Sequence, residues 1–122
     1  MAKTILSVDD SASMRQMVRL TLSGAGYDVV EASDGKEGLA RAQGKAFDMV
    51  VTDLHMPNMD GLALIRELRK LPAYKGVPIL FLTTESDENR KKEAKTAGAT
   101  GWITKPFAPE QLLAVVKKVV GG

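Results

Sequence analysis

Five short apolar runs, separated by segments of helical length, constrain the fold of this chain more than any other feature. The segments between them place apolar residues three or four positions apart, the spacing that builds one apolar side on an α-helix. Strands that alternate with helices favour right-handed βαβ crossovers and a mainly parallel sheet covered on both faces. The pattern therefore predicts an α/β fold, with strands at residues 4–8, 27–31, 49–52, 79–82 and 101–103.

The predicted helix boundaries carry residues that suit them. The last helix is predicted over residues 110–120, and further signals mark the earlier helices. Aspartate favours the residue just before a helix, proline favours the first helical turn, and glycine favours helix ends. The residues concerned are Asp34 with Glu37 as a capping box, Asp60, Pro109, Gly24 and Gly98.

Length and composition indicate one globular domain that spans residues 1–122, without a separate output domain. The chain has no cysteine, which excludes disulfides and thiolate zinc sites. Its formal net charge of +2 comes from interspersed charges, so no basic stripe suggests a nucleic-acid partner. No signal-peptide pattern and no long apolar run are present, so we expect a cytoplasmic protein that does not bind membranes.

Polar residues follow four of the predicted strands. Asp9 and Asp10 follow the first strand, Asp53 the third, Thr83 and Thr84 the fourth, and Lys105 comes shortly after the fifth. Each one alone is explained by the polarity of turns. Together they place three carboxylates, hydroxyl groups and an ammonium group at the carboxyl edge of one sheet, where parallel α/β folds bind their ligands.

The three carboxylates indicate a metal site. If the first and third strands are neighbours, each pair of carboxylates repels by about 1 to 4 kcal/mol at the effective dielectric constant of a protein surface, and a cation relieves that repulsion. Oxygen ligands without cysteine suit Mg²⁺, Mn²⁺ or Ca²⁺, and we expect Mg²⁺. Lys105 and Thr83 add the charge and the hydroxyl that phosphoryl transfer requires, which makes Asp53 the expected phosphoacceptor.

With these positions established, the chain resembles a known family over essentially its whole length. Asp9-Asp10, the segment 53–61 that begins at Asp53, Thr83, and Lys105-Pro106-Phe107 resemble the receiver domains of bacterial two-component response regulators. The resemblance is closest to stand-alone CheY-like chemotaxis regulators. It implies a doubly wound (βα)5 flavodoxin-like fold of three layers, with a five-stranded parallel sheet of order 2-1-3-4-5.

The resemblance also implies the chemistry of the metal site. A histidine kinase would phosphorylate Asp53, and Asp10, Asp53 and the backbone carbonyl of His55 would bind Mg²⁺. Asp9 would support the metal through water. His55 and Glu85, which are expected to border the phosphoryl group, would tune the rate of autodephosphorylation, although His55 also suits a solvated turn.

A second set of residues is implied to transmit the phosphorylation signal. Thr83 and Lys105 would hold phosphoryl oxygens, and the Lys105–Pro106 bond is expected to be cis. Trp102 stands where the family more often has Tyr or Phe, and it would turn inward as Thr83 moves, reshaping the face made by helix four, strand five and helix five. A buried core aromatic is an equally good interpretation of Trp102 from the sequence alone.

The expected partners are a histidine kinase, a downstream protein such as a flagellar motor switch protein, and a phosphatase, each bound by a monomer. Residues 87–95 read mainly as a solvated helix face, but Lys91 and Lys95 are expected to contact an acidic partner beside Trp102. We expect no enzymatic turnover of an external substrate. Chemotaxis ranks first, ahead of another phosphorelay or a phosphate sink.

Other classes of protein fit the sequence less well. Aspartyl-nucleophile phosphatases place Asp-x-Asp after the first strand, whereas Asp9 and Asp10 are adjacent here and the expected nucleophile follows the third strand. A flavodoxin-like electron carrier needs a neutral phosphate loop where Asp9 and Asp10 stand. A P-loop nucleotidase would need a Gly-x-x-x-x-Gly-Lys-[Ser/Thr] element, which the sequence lacks.

Overall fold

The computed structural model describes residues 2–120 and confirms the alternation of strands and helices. Each strand is followed by an α-helix, and one short 3-10 helix, Pro72–Tyr74, precedes the fourth strand. The strands are β1 (Thr4–Val8), β2 (Asp28–Ala32), β3 (Met49–Thr52), β4 (Ile79–Thr83) and β5 (Gly101–Thr104), and the helices are α1 (Ala12–Ser23), α2 (Gly35–Gly44), α3 (Gly61–Lys70), α4 (Glu88–Ala97) and α5 (Pro109–Val120).

All five strands form one parallel sheet of order β2-β1-β3-β4-β5, as the family resemblance implied. The chain first adds β2 on one side of β1 and then crosses to add β3 on the other side. The order therefore reverses at β1 and β3, where Val8 is paired with Thr52. In open parallel sheets such a reversal leaves a crevice at the carboxyl ends of the strands.

Two apolar cores cover the two faces of the sheet. Because successive side chains of a strand point to opposite faces, Leu6 and Val8 of β1 join one core while Ile5 joins the other. The larger core contains residues of α2, α3 and α4, and the smaller core contains residues of α1 and α5. The sheet is thus the middle layer of three, which explains why β3 and β4 are buried throughout and are apolar up to their last residues, Thr52 and Thr83.

The helix ends largely confirm the predicted capping residues. The side chains of Asp34 and Asp60 accept hydrogen bonds from backbone N–H groups of the first turns of α2 and α3. Pro109 is the first residue of α5, and Gly98 follows α4 in the left-handed conformation with φ 112°. The Glu37 carboxylate accepts the backbone N–H of Ser33, so the predicted capping box closes one residue earlier than expected.

Some predicted boundaries are shifted by one residue. The second strand begins at Asp28 because the backbone N–H of Tyr27 donates to Leu22 O at the end of α1, whereas that of Asp28 donates to Lys3 O in the sheet. The fourth and fifth strands each extend one residue further, since Thr83 and Thr104 are paired. Helix α5 begins at Pro109, one residue before the predicted start.

Between residues 2 and 120, no helix has the length and the apolar character that crossing a membrane requires.

Candidate functional site

The strand order brings the three predicted carboxylates together. Asp53 follows β3, and its backbone N–H donates to Val8 O at the end of the neighbouring β1, with an N···O distance of 2.9 Å. Asp9 and Asp10 come directly after Val8. One carboxylate oxygen from each of Asp9, Asp10 and Asp53 lies within 4.8 Å of the others, which is close enough for one cation to be shared.

Asp9 is the most constrained of the three carboxylates. Its side chain is buried, and it accepts hydrogen bonds from the Ser11 backbone N–H at 2.9 Å and the Lys105 Nζ at 3.0 Å. Burial raises the pKa of Asp9 above its ordinary value, although both of these donors act to lower it. Because both oxygens of Asp9 have protein partners, the expected contact to a metal through water suits it better than direct ligation.

Asp53 and Asp10 differ from Asp9 in how freely they can bind. Asp53 accepts the Leu54 backbone N–H at 2.7 Å, and its other oxygen lies 3.5 Å from the Lys105 Nζ. Asp10 is exposed, and its carboxylate has no hydrogen bond or ion pair with any residue in the described range 2–120. Asp10 has free ligand positions, and the second oxygen of Asp53 has only the long contact to Lys105. With the buried Asp9 beside them, they are a donor set that Mg²⁺ accepts.

Thr83 and Lys105 lie at the same edge, as predicted. Thr83 ends β4, is fully buried, and accepts the Glu85 backbone N–H on its hydroxyl at 3.2 Å. Lys105 follows β5, and its backbone N–H donates to Thr83 O at 2.9 Å. The Lys105–Pro106 peptide bond is cis, as the resemblance implied. One ammonium group and one hydroxyl thus flank the carboxylates, and both have protein partners.

His55 and Glu85 form a contact across the mouth of this site. The His55 Nε2 and a Glu85 carboxylate oxygen are 3.0 Å apart, joining the loop after β3 to the loop after β4. The pKa of Glu85 is lowered mainly by the hydrogen bond from the Asp87 backbone N–H and further by His55. Both predicted tuning residues therefore lie in loops at the carboxyl edge of the sheet and contact each other, and their effect on the rate stays a prediction.

Trp102 is half-buried and has two interactions. Its indole N–H donates to the Glu85 backbone carbonyl at 3.2 Å, and its ring packs against Phe81, with ring centroids 5.5 Å apart. Trp102 also lines an open groove with Lys91 and Lys95 of α4, so the predicted neighbourhood of these residues is confirmed. Whether the indole moves on phosphorylation stays a prediction.

Two side-chain contacts near the site could not be predicted from the sequence. The Arg15 guanidinium of α1 donates to the backbone carbonyl of Asp9, and the Asn58 side chain donates to Asp34 at 2.7 Å, joining the loop after β3 to the start of α2. Asn58 has a positive φ of 68°, a conformation that asparagine tolerates. Only the folded chain brings these pairs together, because each joins separate segments at the sheet edge.

The fold and the site together define a doubly wound α/β domain with an acidic cluster at its strand ends, and sequence comparison identifies its family. The chain belongs to the response regulator receiver domain family, whose profile matches residues 5–117. It is similar to the solved chemotaxis response regulator CheY4 of Vibrio cholerae, with 48% sequence identity, a TM-score of 0.93, and coverage of 98% of this chain and 99% of that one.

Two further similar proteins are a transcriptional regulator and a receiver domain solved with a metal ion. The chain is 38% identical over 120 residues to the alkaline phosphatase synthesis transcriptional regulatory protein PhoP of Bacillus subtilis, covering 98% of this chain but only 49% of PhoP. It is also similar to the receiver domain of the sensor histidine kinase PA1611 from Pseudomonas aeruginosa, solved with a magnesium ion in its active-site cleft. That match has 25% identity and a TM-score of 0.91, and it covers both chains fully.

Proposed function

We propose that this protein is a CheY-like response regulator in which Asp53 accepts a phosphoryl group from a histidine kinase in the cytoplasm. The observation that supports this most is the meeting of three carboxylates within 4.8 Å beside the ammonium group of Lys105. An oxygen of Asp53 attacks phosphorus, and the bond from phosphorus to the donor's imidazole nitrogen breaks. The electron pair stays on that nitrogen, which takes up a proton.

The residues of the acidic cluster have distinct roles in this proposal. Asp10, Asp53 and the backbone carbonyl of His55 would hold Mg²⁺, and Asp9 would support it through water. Mg²⁺ supplies positive charge that offsets the charge of the carboxylates and of the incoming phosphoryl oxygens. The magnesium ion in the PA1611 receiver domain supports this choice of metal.

Lys105 and Thr83 stabilise the phosphoryl group after transfer. The Lys105 Nζ, 3.5 Å from Asp53, moves to a phosphoryl oxygen, and the Thr83 hydroxyl turns from the Glu85 N–H to another. Trp102 donates to the backbone carbonyl of the same Glu85, so rearrangement of the loop after β4 changes the position of the indole. The proposed readout is a reshaped face of α4, β5 and α5.

His55 and Glu85 set how long the signal lasts. Their contact covers part of the route by which water reaches phosphorus, and His55 is more than half exposed, so it can also open. Replacement His55→Asn shortens the side chain and removes the contact. We expect autodephosphorylation to become several-fold faster, and identical decay curves for this variant and wild type would remove the proposed role.

Incubation with acetyl phosphate, followed by intact mass measurement, tests the proposed chemistry. Wild type is expected to gain one labile phosphoryl group in the presence of Mg²⁺ and none when the metal is chelated. Asp53→Asn has the same size but no carboxylate, and it should gain nothing under either condition. Labelling of Asp53→Asn equal to that of wild type would reject Asp53 as the acceptor.

The proposed output is control of the flagellar motor by a monomer that docks on a motor switch protein. Similarity to CheY4 over the full length of both chains supports this, as do Lys91 and Lys95 beside Trp102, which suit an acidic partner segment. Similarity to PhoP, of which this chain spans about half, keeps a stand-alone role in another phosphorelay, or as a phosphate sink, as the second candidate.

Binding to a motor switch protein separates the two candidates. The chain treated with beryllium fluoride, which mimics the phosphoryl group, is expected to bind several-fold more tightly than the untreated chain. Lys91→Glu and Lys95→Glu should each weaken that binding several-fold, more so at low salt. Lys75→Glu, an exposed charge reversal outside α4, is the control and should bind as wild type. Absence of binding by the fluoride complex would favour the second candidate.

A further inference from the structure

We propose that Arg15 is a positioning residue for the metal site, because it fixes the peptide that joins Asp9 to Asp10. The inference rests on the proposed function, since it concerns the site that would hold Mg²⁺. It goes further by assigning a role to a residue of α1. The Arg15 side chain forms no bond with the side chain of any expected metal ligand, and among these residues it contacts only the Asp9 backbone.

The geometry gives Arg15 two anchors. One guanidinium nitrogen donates to the Asp9 backbone carbonyl, and the Nε lies 3.3 Å from a carboxylate oxygen of Glu31 in β2. The Arg15 side chain is only 19% exposed, so solvent competes little for these bonds. Arg19, one turn further along α1, also reaches Glu31 at 3.3 Å, but its side chain is 61% exposed.

The anchored carbonyl matters because of what lies on either side of it. It belongs to the peptide between Asp9 and Asp10, the two acidic residues that follow β1. The Asp9 carboxylate is already held by Ser11 and Lys105, whereas the Asp10 carboxylate has no partner in the described part of the chain. The position of the Asp10 carboxylate therefore depends on the backbone around it. Arg15 links the carbonyl of that peptide to Glu31 of β2.

The charge of Arg15 and its proposed positioning role predict opposite changes in metal affinity when Arg15 is replaced. A guanidinium near a cation site repels the cation, so loss of the charge would tighten binding if the charge were all that mattered. If positioning dominates, loss of the guanidinium weakens binding instead. Residues that orient metal ligands typically change affinity by about 10- to 100-fold when they are replaced. The sign of the change therefore distinguishes the two effects.

Mn²⁺ is a suitable probe because the electron paramagnetic resonance signal of the free ion reports binding directly. We expect Arg15→Met to raise the dissociation constant for Mn²⁺ about tenfold. Arg15→Lys keeps the charge but cannot form the fork between Asp9 and Glu31, so it should also bind more weakly than wild type. Arg19→Met is the matched control, since Arg19 shares Glu31 but does not contact Asp9, and it should bind within twofold of wild type.

Thermal unfolding of each variant separates positioning from general stability. A purely structural role would lower the unfolding midpoint of Arg15→Met and leave Mn²⁺ affinity of the folded protein unchanged, which would overturn the proposal. Tighter binding would overturn it as well. If Arg15→Met does not fold, Glu31→Met removes the other anchor, since methionine has no carboxylate or amide oxygen to accept from the guanidinium, and unchanged affinity in that variant decides against positioning. Failure of wild type itself to bind Mn²⁺ would instead reject the metal site of the proposed function.

Discussion

The buried carboxylate of Asp9 places an electrostatic cost on the folded chain. Burial raises the pKa of Asp9, so the folded state holds this proton more tightly than the unfolded chain does. The sign of the linkage follows: stability falls as pH rises through the folded pKa and Asp9 becomes charged beside Asp53. Lys105 offsets only part of this cost at neutral pH.

Replacement Asp9→Asn should therefore stabilise the metal-free protein at neutral pH. The amide keeps the size of the side chain and removes one charge from the cluster, although its single oxygen can accept from Ser11 or from Lys105 but not from both. We expect the loss of charge to outweigh the lost hydrogen bond, with a net gain of about 1 kcal/mol, or roughly 4 °C in the unfolding midpoint at pH 7. The gain should shrink as pH is lowered through the raised pKa of Asp9, because wild type then takes up the proton. Calorimetry at several pH values measures it.

The control for this prediction is an exposed carboxylate outside the cluster. Asp28→Asn changes the same charge at the start of β2 and should leave the midpoint within a degree of wild type. A lower midpoint for Asp9→Asn at pH 7 would mean that the ion pair with Lys105 outweighs burial and repulsion, contrary to the argument.

Individual residues of the site were predictable where strand ends decide their position. Asp9, Asp53 and Thr83 each come directly after, or at the end of, a buried strand, and parallel strands bring such positions to one edge. Arg15 was not predictable in this way, and neither was Arg69, which lies outside the site, near the amino ends of β4 and β5. Arg69 donates to the backbone carbonyls of Val77 at 2.7 Å and Gly98 at 2.6 Å, and no sequence spacing encodes which carbonyl a flexible side chain will reach.

At the scale of elements, α3 and α4 differ in how many residues they bury, although each helix has ten residues. Helix α3 buries a full apolar side against the larger core, and the buried residues are Gly61, Leu62, Leu64, Ile65 and Leu68. Helix α4 buries only Ala94 and is otherwise charged or polar over most of its length. Since tertiary packing supplies most of the stability of a helix, α4 is anchored far less firmly than α3.

Hydrogen exchange should reveal this difference directly. We expect backbone amides in the middle of α4 to exchange at least tenfold faster than those in the middle of α3, because local opening of α4 exposes little apolar surface. Equal length makes α3 the internal control. Equal protection of the two helices would show that α4 opens only when the whole domain unfolds, and the readout face would then have to change as a rigid body.

Element types were predictable from the sequence, and their ends less so. The apolar period located all five strands and the caps located several helix starts. The start of β2 was misjudged by one residue because Tyr27, an apolar residue next to a strand, uses its N–H to bond Leu22 O at the end of α1 rather than to join the sheet. Such a choice depends on hydrogen-bond partners that only the folded backbone supplies.

At the scale of the whole molecule, alternation predicted three layers but not the order of the strands. Several orders bury the same apolar faces, and the observed one followed from the family resemblance. The order matters for function because it sets β1 beside β3 and so brings Asp9 and Asp10 to Asp53. A sheet in sequential order would separate β1 from β3 by a strand, and the acidic cluster would not form.

Glu85 connects several parts of this molecule through a single residue. Its N–H donates to Thr83, its carbonyl accepts from Trp102, and its carboxylate contacts His55. These three bonds leave few independent arrangements for the loop, because they hold the N–H, the carbonyl and the side chain of one residue, and a change in the backbone at Glu85 strains more than one of them. The proposed acceptor site and the proposed readout face should therefore change together, as an all-or-none transition, and a graded input would be read out as the fraction of molecules that have switched.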